Sequence, residues 1–307
     1  MELHFIQKTL QIVACHDNLL QERIYIQENT LMKRLFSYRD GEIYAHHTID
    51  DHPDAEQFAI HAHEWPEILY CISGRGSYMI EGVHYPMEPN DIFITRPGEM
   101  HKLTVDPNVP YERIAIHFSP GFIKGADPKG RLLVPFNNRV LGQHNRYPAE
   151  EDPEGLLRAS LTLFSFKNDP NVKLDLLARL LMLLTQLEGK FRQTRQQIPF
   201  AEEQNELVAY VNKHLFEDIS VQQAADEMHL SRSQVSRIFQ QVTGTSMWKY
   251  VTAKRLLAAR AMIHRGESAS DACVACGFSE YSSFYRAYRS YFGHSPKEDT
   301  KSPDLNY

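Results

Sequence analysis

Between Glu206 and Lys297 the chain carries one pattern twice: a short helix, a tight turn and a second helix, with a longer helical run joining the two copies. In the first copy Ser220 is placed to cap a helix over Gln222 to His229, with Ala224, Ala225 and Met228 as its apolar stripe. A turn at His229-Leu230 follows and Ser231 caps again. Val235, Ile238, Phe239 and Val242 then recur at spacings of three and four residues, leaving Arg232, Ser233, Gln234, Ser236, Arg237, Gln240 and Gln241 opposite. Gly244 stands where a helix end takes a left-handed residue. After a connecting run from Trp248 to Ile263, the second copy reads Ser268 to Cys276, a turn at Gly277, and Ser279 to Phe292. Phe284, Ala287, Tyr288 and Tyr291 mark its buried side, and Tyr281, Ser282, Tyr285, Arg286 and Arg289 its open side.

Short polar, amide-bearing and guanidinium side chains on one open helix face suit the base edges and phosphates of a major groove. A single face of this kind also describes an ordinary solvated helix; its recurrence on a second unit favours the groove. Two such helices on one connector would enter successive major-groove segments about a helical turn apart. The residues placed to touch DNA are Arg232, Ser233, Ser236 and Arg237 in the first unit and Tyr281, Ser282, Tyr285 and Arg286 in the second. Charge points the same way. Ser231 to Arg265 holds seven Lys or Arg and no Asp or Glu, which reads as a basic patch for phosphate. The net charge of −6 over 307 residues conceals a split, since 205–297 carries +3 and 1–204 carries −7.

Across this stretch the sequence resembles the AraC/XylS transcription regulators. The resemblance rests on Ala225, Leu230-Ser231, Arg237, Phe239, Gly244, Tyr250, Arg255-Leu256 and Ala259, then Gly277-Phe278, Phe284, Arg286, Tyr288, Tyr291-Phe292-Gly293 and Ser295-Pro296. It departs at Ala224, Ala269 and Ala272, smaller than the family's aliphatics, and in lacking a Tyr-Arg pair after Ser295-Pro296, both of which bear on packing of the second unit. The resemblance implies sequence-specific binding to double-stranded DNA, a small-molecule effector, a homodimer and, for an activator, RNA polymerase as partner.

Upstream, from Glu42 to Phe118, the pattern turns to short strands: Phe58-Ala59-Ile60, Ile68 to Ile72, Gly76 to Ile80, Asp91 to Ile94 and Arg113 to Phe118, with turns at Ser73-Gly74, Glu81-Gly82, Glu88 to Asp91 and Pro97-Gly98. The expectation is an antiparallel β-barrel or jelly roll. Before it, only Ile24-Tyr25-Ile26 reads as a strand. Within it, His61-x-His63, Glu67, Gly74 and Gly98-x-x-His101 resemble the two motifs of the cupin family, with Ala55 and Asn90 where that family has glycine, Arg96 where it has proline and Val105 where it has asparagine. On a strand His61 and His63 share a face, and with Glu67 and His101 they make a donor set for Fe, Mn, Ni or Zn; the alternative is that they brace a metal-free pocket. His84 and His117 read as ordinary strand histidines. The barrel has room for one small ligand. Trp65, Tyr70, Tyr78, Tyr85 and Phe93 supply stacking surfaces, and Arg75, Arg96 and Glu67 polar anchors, for a sugar or small aromatic compound. The ligand-binding set is thus His61, His63, Glu67, Trp65, Tyr78 and His101.

Pro120 to Pro148 reads as an irregular connection. A helix over 153–166 with Asp152 as cap follows, then another over 172–192 whose stripe is Leu174, Leu177, Leu181, Leu184, Leu187 and Phe191, widened by Leu180 and Leu183. Such a helix packs on the barrel or pairs with its twin, and the family resemblance favours the dimer. The resulting organisation is α+β: a cupin-like sensing domain over 1–150, a helical dimerisation segment over 151–195, a linker over 196–205, and an all-α double helix-turn-helix domain over 206–298. There is no run of 18 apolar residues and Met1 to His4 lacks the form of a signal peptide, so a cytoplasmic protein with no membrane partner is expected. Four cysteines make no disulfide framework, and Cys273-x-x-Cys276 within a helix fills small buried positions. No Gly-rich phosphate loop or G-x-S-x-G stretch supports an enzyme. The competing class is a metal-dependent cupin enzyme, an isomerase or dioxygenase, carrying a DNA-binding tail. The double helix-turn-helix favours a ligand-responsive regulator, expected to activate.

Overall fold

The computed structural model describes residues 32–54, 58–152, 155–161, 171–197 and 205–299. The 24–26 strand, Ala55, most of the linker and 162–166 of the first expected helix lie outside them. Among the described residues eight strands come first, β1 Met32–Arg39, β2 Ile43–Asp50, β3 Glu67–Ser73, β4 Gly76–Ile80, β5 Val83–Met87, β6 Ile92–Thr95, β7 His101–Val105 and β8 Tyr111–Phe118, and a short β9, Arg146–Tyr147, joins them later. They form two antiparallel sheets, ordered β1-β2-β8-β3-β6-β9 and β5-β4-β7. Side-chain alternation decides what each face does. Leu69 and Cys71 of β3 turn to the second sheet and pack with Tyr78, Ile80, Tyr85, Leu103 and Val105. Ile68 and Tyr70 turn the other way, into a second apolar layer. The ladders among the described residues do not close, and the two facing antiparallel sheets have the jelly-roll form expected from the sequence.

Four strands escape pattern reading for physical reasons. In β1 only Phe36 is buried, as suits an edge strand; β2 interleaves Ile43 and Ala45 with histidines; β5 holds Pro86 at an edge; β7 begins on His101. Conversely, 58–60 is no strand, and only His61 beyond it pairs, with His101. Asn90, where cupins have glycine, sits at φ 72°, a left-handed turn that asparagine tolerates.

The expected irregular connection is more ordered than its composition suggests. It holds α1 Pro120–Lys124, a 3-10 turn at Arg131–Leu133, α2 Val134–Asn137 and β9, and a buried ion pair fixes its 139–145 stretch. The Arg139 guanidinium meets Glu99 at 2.5 and 2.6 Å, and Asn145 and the Gly142 amide complete the carboxylate's shell. Burial alone would push the Glu99 carboxyl up, but Arg139 outweighs it and holds the carboxyl down. The next helix, α3 Leu156–Leu161, starts later than its cap signal, since Gly155 is left-handed, yet Asp152 still accepts from the Leu157 amide. The long α4, Val172–Gln197, lays Leu176, Leu180, Leu183, Leu184, Leu187 and Phe191 on the outer face of the large sheet. Leu174, placed in the buried stripe by periodicity, is instead 66% exposed.

The C-terminal domain follows its pattern closely: α5 Glu206–Lys213, α6 Val221–Glu227, α7 Arg232–Thr243, α8 Met247–His264, α9 Ala269–Ala275, α10 Tyr281–Phe292 and α11 Pro296–Asp299. Ser220 with Gln223 and Ser231 with Gln234 form reciprocal capping boxes, and Gly244 and Gly293 end α7 and α10 in the left-handed region. Ala224, Ala225 and Ala272 are fully buried, so the small residues allow close helix packing. Cys273 and Cys276 are buried and free, as expected. Where the family's Tyr-Arg pair is missing, Asp299 bonds to Arg260 and Tyr288 and lies beside His264, tying α11 to α8 and α10.

The basic patch needs correction. Lys254, Arg255 and Arg260 of α8 are buried: Lys254 meets Glu81, Arg255 caps the carbonyls of Leu215, Glu217 and Gly277, and Arg260 pairs with Asp299 and Glu64. Arg232, Arg237, Lys249 and Arg265 remain exposed for phosphate.

Replacing Arg139 by Met leaves the buried Glu99 with only the longer Arg96 contact at 3.6 Å as its cationic partner, which costs about 3–5 kcal/mol. Urea unfolding of the variant should show that loss, and a change under about 1 kcal/mol would mean that Asn145 and the backbone amides suffice. Burial would pull the His264 pKa down, but Asp299 and Glu64 outweigh it and raise it to about 9. A raised folded pKa gives stability that is complete below about pH 6.5 and disappears as pH climbs through about 9. Thermal melts of the wild type should therefore fall across that window more steeply than those of His264→Gln; parallel curves would remove His264 as the titrating group.

Candidate sensor site and DNA interface

Strand register gathers the histidines. Glu67 opens β3 and lies directly opposite His117 of β8; His101 opens β7 and pairs across a bridge with His61; His63 follows two residues on. Ring centroids are 4.4 Å apart for His61–His101 and His63–His117, 4.8 Å for His61–His63 and 5.1 Å for His63–His101. Glu67 sits among them, with Oε2 at 3.6 Å from His63 Nε2 and 3.4 Å from His101 Nε2, and Oε1 at 3.8 Å from His117 Nε2. Two overlapping donor groups result, His61/His63/His101 and His63/Glu67/His117, each with its ligand atoms within 4.8 Å of one another.

The four residues expected from sequence do come together, and His117 joins them, contrary to its reading as an ordinary strand histidine. No local signal marks it, because only the pairing of β3 with β8 places it opposite Glu67. His84 lies elsewhere, exposed, with Nε2 at 3.1 Å from the Val242 carbonyl.

The tautomers are set by backbone carbonyls. Nδ1 of His61 lies 2.8 Å from the Ala59 carbonyl and Nδ1 of His101 2.8 Å from the Glu99 carbonyl. A carbonyl only accepts, so each Nδ1 carries the proton and each Nε2 keeps its lone pair. The buried Nε2 atoms of His63 and His101 have no hydrogen-bond partner among the described residues. Burial, with neighbouring imidazoles second, holds His63 and His101 well below the usual histidine range and His117 down to about 3. Burial also raises Glu67 to about 7, against the pull of Thr95, Arg113 and Tyr78. Neutral imidazoles around one carboxylate, two of them, His61 and His101, oriented by backbone carbonyls with Nε2 left as the lone-pair atom, fit a divalent transition metal.

The other expected lining residues divide. Tyr78 is buried against the cluster, edge-on to His101 at 5.7 Å, with its hydroxyl donating to Glu67 at 3.5 Å. Trp65 is buried between His63 and Glu67 in the chain, and Phe93 and Tyr85 belong to the interior between the sheets. Tyr70 faces away, in the layer under α4, and donates to Asn90. Arg75 pairs with Asp106 at the surface, and Arg96 is occupied by the carbonyls of Asn137 and Arg139. Neither is an anchor inside the sandwich.

In the C-terminal domain, Val235 and Phe239 of α7 and Phe284 and Tyr288 of α10 are fully buried, and this fixes what the opposite faces show. Arg232, Ser233, Ser236 and Arg237 are exposed on α7, and Tyr281, Ser282, Tyr285 and Arg286 on α10. Tyr281 and Tyr285, at 44% and 36% exposure, stand side by side on the open face of α10.

Comparison with known proteins agrees with this division. Residues 44–184 match the family described as AraC-like ligand binding domain, and residues 224–302 the family described as helix-turn-helix domain. The HTH-type transcriptional activator RhaS of Enterobacter sp. (strain 638) is 25% identical over 266 residues, 81% of this chain and 90% of that protein. RhaS of Escherichia coli (strain K12 / DH10B) is 24% identical over 265 residues, 82% and 90% of the two chains. Among solved structures, ToxT from Vibrio cholerae is similar with a TM-score of 0.37 and 13% identity, covering 85% of this chain and 98% of its own. With one match on the sandwich and α4, and the other on the paired helix-turn-helix units, the chain belongs to the AraC/XylS family and is a DNA-binding transcription regulator with an N-terminal ligand-binding domain.

Proposed function

We propose that this regulator reads DNA with Arg232, Ser233, Ser236 and Arg237 of α7 and Tyr281, Ser282, Tyr285 and Arg286 of α10, and senses its effector at the histidine cluster. The observation that carries the sensor half is the pair of buried, unpartnered Nε2 atoms on His63 and His101, aimed at Glu67. His61, His63, Glu67, His101 and His117 would hold a divalent transition metal, with Trp65 and Tyr78 lining the seat of a small metabolite, a sugar or small aromatic compound. Bound there, the metal supplies a Lewis-acidic anchor for an oxygen of that metabolite. The protein's share is to hold the imidazoles neutral and oriented and to keep water out.

The same reading divides the chain into a sensor over 1–150, a helical segment over 151–195, a linker over 196–205 and a DNA-binding domain over 206–298, in a cytoplasmic protein that is a regulator and not an enzyme. No helix of the described residues is long and apolar enough to cross a membrane. A homodimer through α4 is supported by its outer face, where Leu174 and Met182 are 66% and 57% exposed beside partly exposed Leu181. Two protomers would double the groove contacts, and as an activator the protein would also engage RNA polymerase.

Arg237→Ala should weaken binding to the protein's own upstream region by about 1–3 kcal/mol in a fluorescence-anisotropy titration, with unchanged affinity ruling out that contact. Protein loaded with Zn2+ and desalted should retain one equivalent by elemental analysis, and His63→Ala should lose it; a metal-free wild type would refute the metal seat.

A further inference from the structure

The sensor places two acids against the DNA-binding domain: Glu64 is the chain neighbour of His63, and Glu81 follows Ile80, which pairs with His101 across the strands. Glu81, in the turn between β4 and β5, is fully buried. Its carboxylate accepts from Lys254 Nζ at 2.7 Å, from the Met100 amide at 2.7 Å, from Asn212 Nδ2 at 2.9 Å and from the Tyr250 hydroxyl. Its partners therefore come from α5 and α8 as well as from its own domain. The turn is built to reach them. Glu81 adopts φ 50°, a left-handed conformation unusual for a residue with a side chain, and Gly82 adopts φ 82°. A Cβ on Gly82 would come within 2.7 Å of Val242 and 3.1 Å of Val208, so the backbone itself rests on α7 and α5.

The second acid is Glu64, next to His63. It faces Arg260 Nε at 3.2 Å and His264 Nδ1 at 3.3 Å, both on α8. Between the acids, Ala62 and Met100 are buried in the same apolar cluster as Leu207, Val211, Phe239 and Tyr250.

The distance from ligand atoms to these contacts is short. Ile80 pairs with His101, and the Glu81 amide donates to the Met100 carbonyl at 2.8 Å, so the Glu81 turn is joined to the His101 strand by backbone bonds. On the other side, His61 and His101 exchange backbone bonds at 3.0 and 2.8 Å, and Glu64 follows His63 directly. A change in how His61, His63 and His101 are held is thus passed by short backbone links to Ala62, Glu64, Met100 and Glu81, four residues that contact the C-terminal domain.

We propose that Glu64 and Glu81 form a two-point clamp that transmits occupancy of the histidine cluster to the position of the DNA-binding domain. The proposal rests on the metal reading given above. Buried ion pairs suit such a clamp: their attraction is offset by desolvation, so the joint can shift without a large net cost, whereas their hydrogen-bond geometry still fixes one arrangement. Both reading faces are exposed while the clamp is closed, so it governs the orientation of the reading helices and not access to them.

The test uses the full chain, Zn2+ as probe, and a duplex that the wild-type protein itself selects from a random pool. Zinc should change the wild-type affinity for that duplex about fivefold or more, with altered hydrogen exchange over 206–213 and 247–264. The double variant E81Q/K254M removes both charges together and orphans neither. It should bind the same equivalent of zinc while the affinity change falls below about twofold. If that variant does not fold, Glu64→Gln decides, because Arg260 keeps its bond to Asp299 and uncoupling is again expected. A folded variant with the full wild-type response, or a wild type that takes up zinc with no change in affinity or exchange, overturns the clamp alone. A wild type that takes up no zinc overturns the metal reading and the clamp with it.

Discussion

A carboxylate removed from water must be met by a cation or by several donors, and this requirement shapes the molecule more than any apolar contact. Glu99 has Arg139, Asp91 has Arg146, Asp299 has Arg260 and His264, and Glu81 has Lys254. Each pair fixes a connection that apolar packing alone would leave loose: the crossing of 139–145 over the sandwich, the edge strand β9, the last helix, the junction of the two domains. Glu67 differs. Its hydrogen bonds come from Thr95 and Tyr78, and its neighbours are imidazoles that burial keeps neutral. These four buried carboxylates are matched with fixed positive charge, whereas Glu67 stands among neutral imidazoles, the arrangement that suits a cation from outside the chain.

Legibility in the sequence followed the range of the interaction responsible. The helix-turn-helix units depend on contacts within a few residues, such as Ser220 with Gln223, Ser231 with Gln234, and the left-handed glycines 244 and 293, so their bounds and open faces could be read directly. His61, His63, Glu67 and His101 were legible as a motif. His117 was not, because it reaches the cluster through a register set 50 residues away. The same limit explains the misjudged basic patch. Lys254 and Arg260 count as free cations until Glu81 and Glu64, from another domain, are seen beside them. The jelly roll was legible as a class from its short alternating strands, whereas the order in which they pair was not, since alternation gives the faces of strands and not their neighbours.

On α4 the apolar stripe was legible from Leu177 to Phe191 and failed only at its start. Leu180, Leu183, Leu184 and Leu187 are buried and Leu177 and Leu181 pack beside them, over the layer that Ile68, Ile92, Ile94 and Ile116 fill. In the first turn Leu176 takes the buried place expected of Leu174. Leu174 and Met182 are left in solvent, an arrangement more costly for a lone chain than for one that covers this face with a second copy.

The two helix-turn-helix units could in principle respond to the sensor separately, since Glu81 touches only α5 and α8, with Gly82 beside α7. Arg260 argues against that. Its guanidinium lies between Glu64 of the sensor and Asp299, and Asp299 in turn accepts from Tyr288 of α10, the helix that carries the second reading face. One side chain therefore joins the sensor to the second unit, while its own helix α8 meets the first through Tyr250, whose ring lies edge-on to Phe239 of α7. A displacement of α8 moves both reading helices together, which keeps their separation matched to successive turns of one groove. The rigid spacing that makes two short helices useful on DNA thus also lets one junction control both.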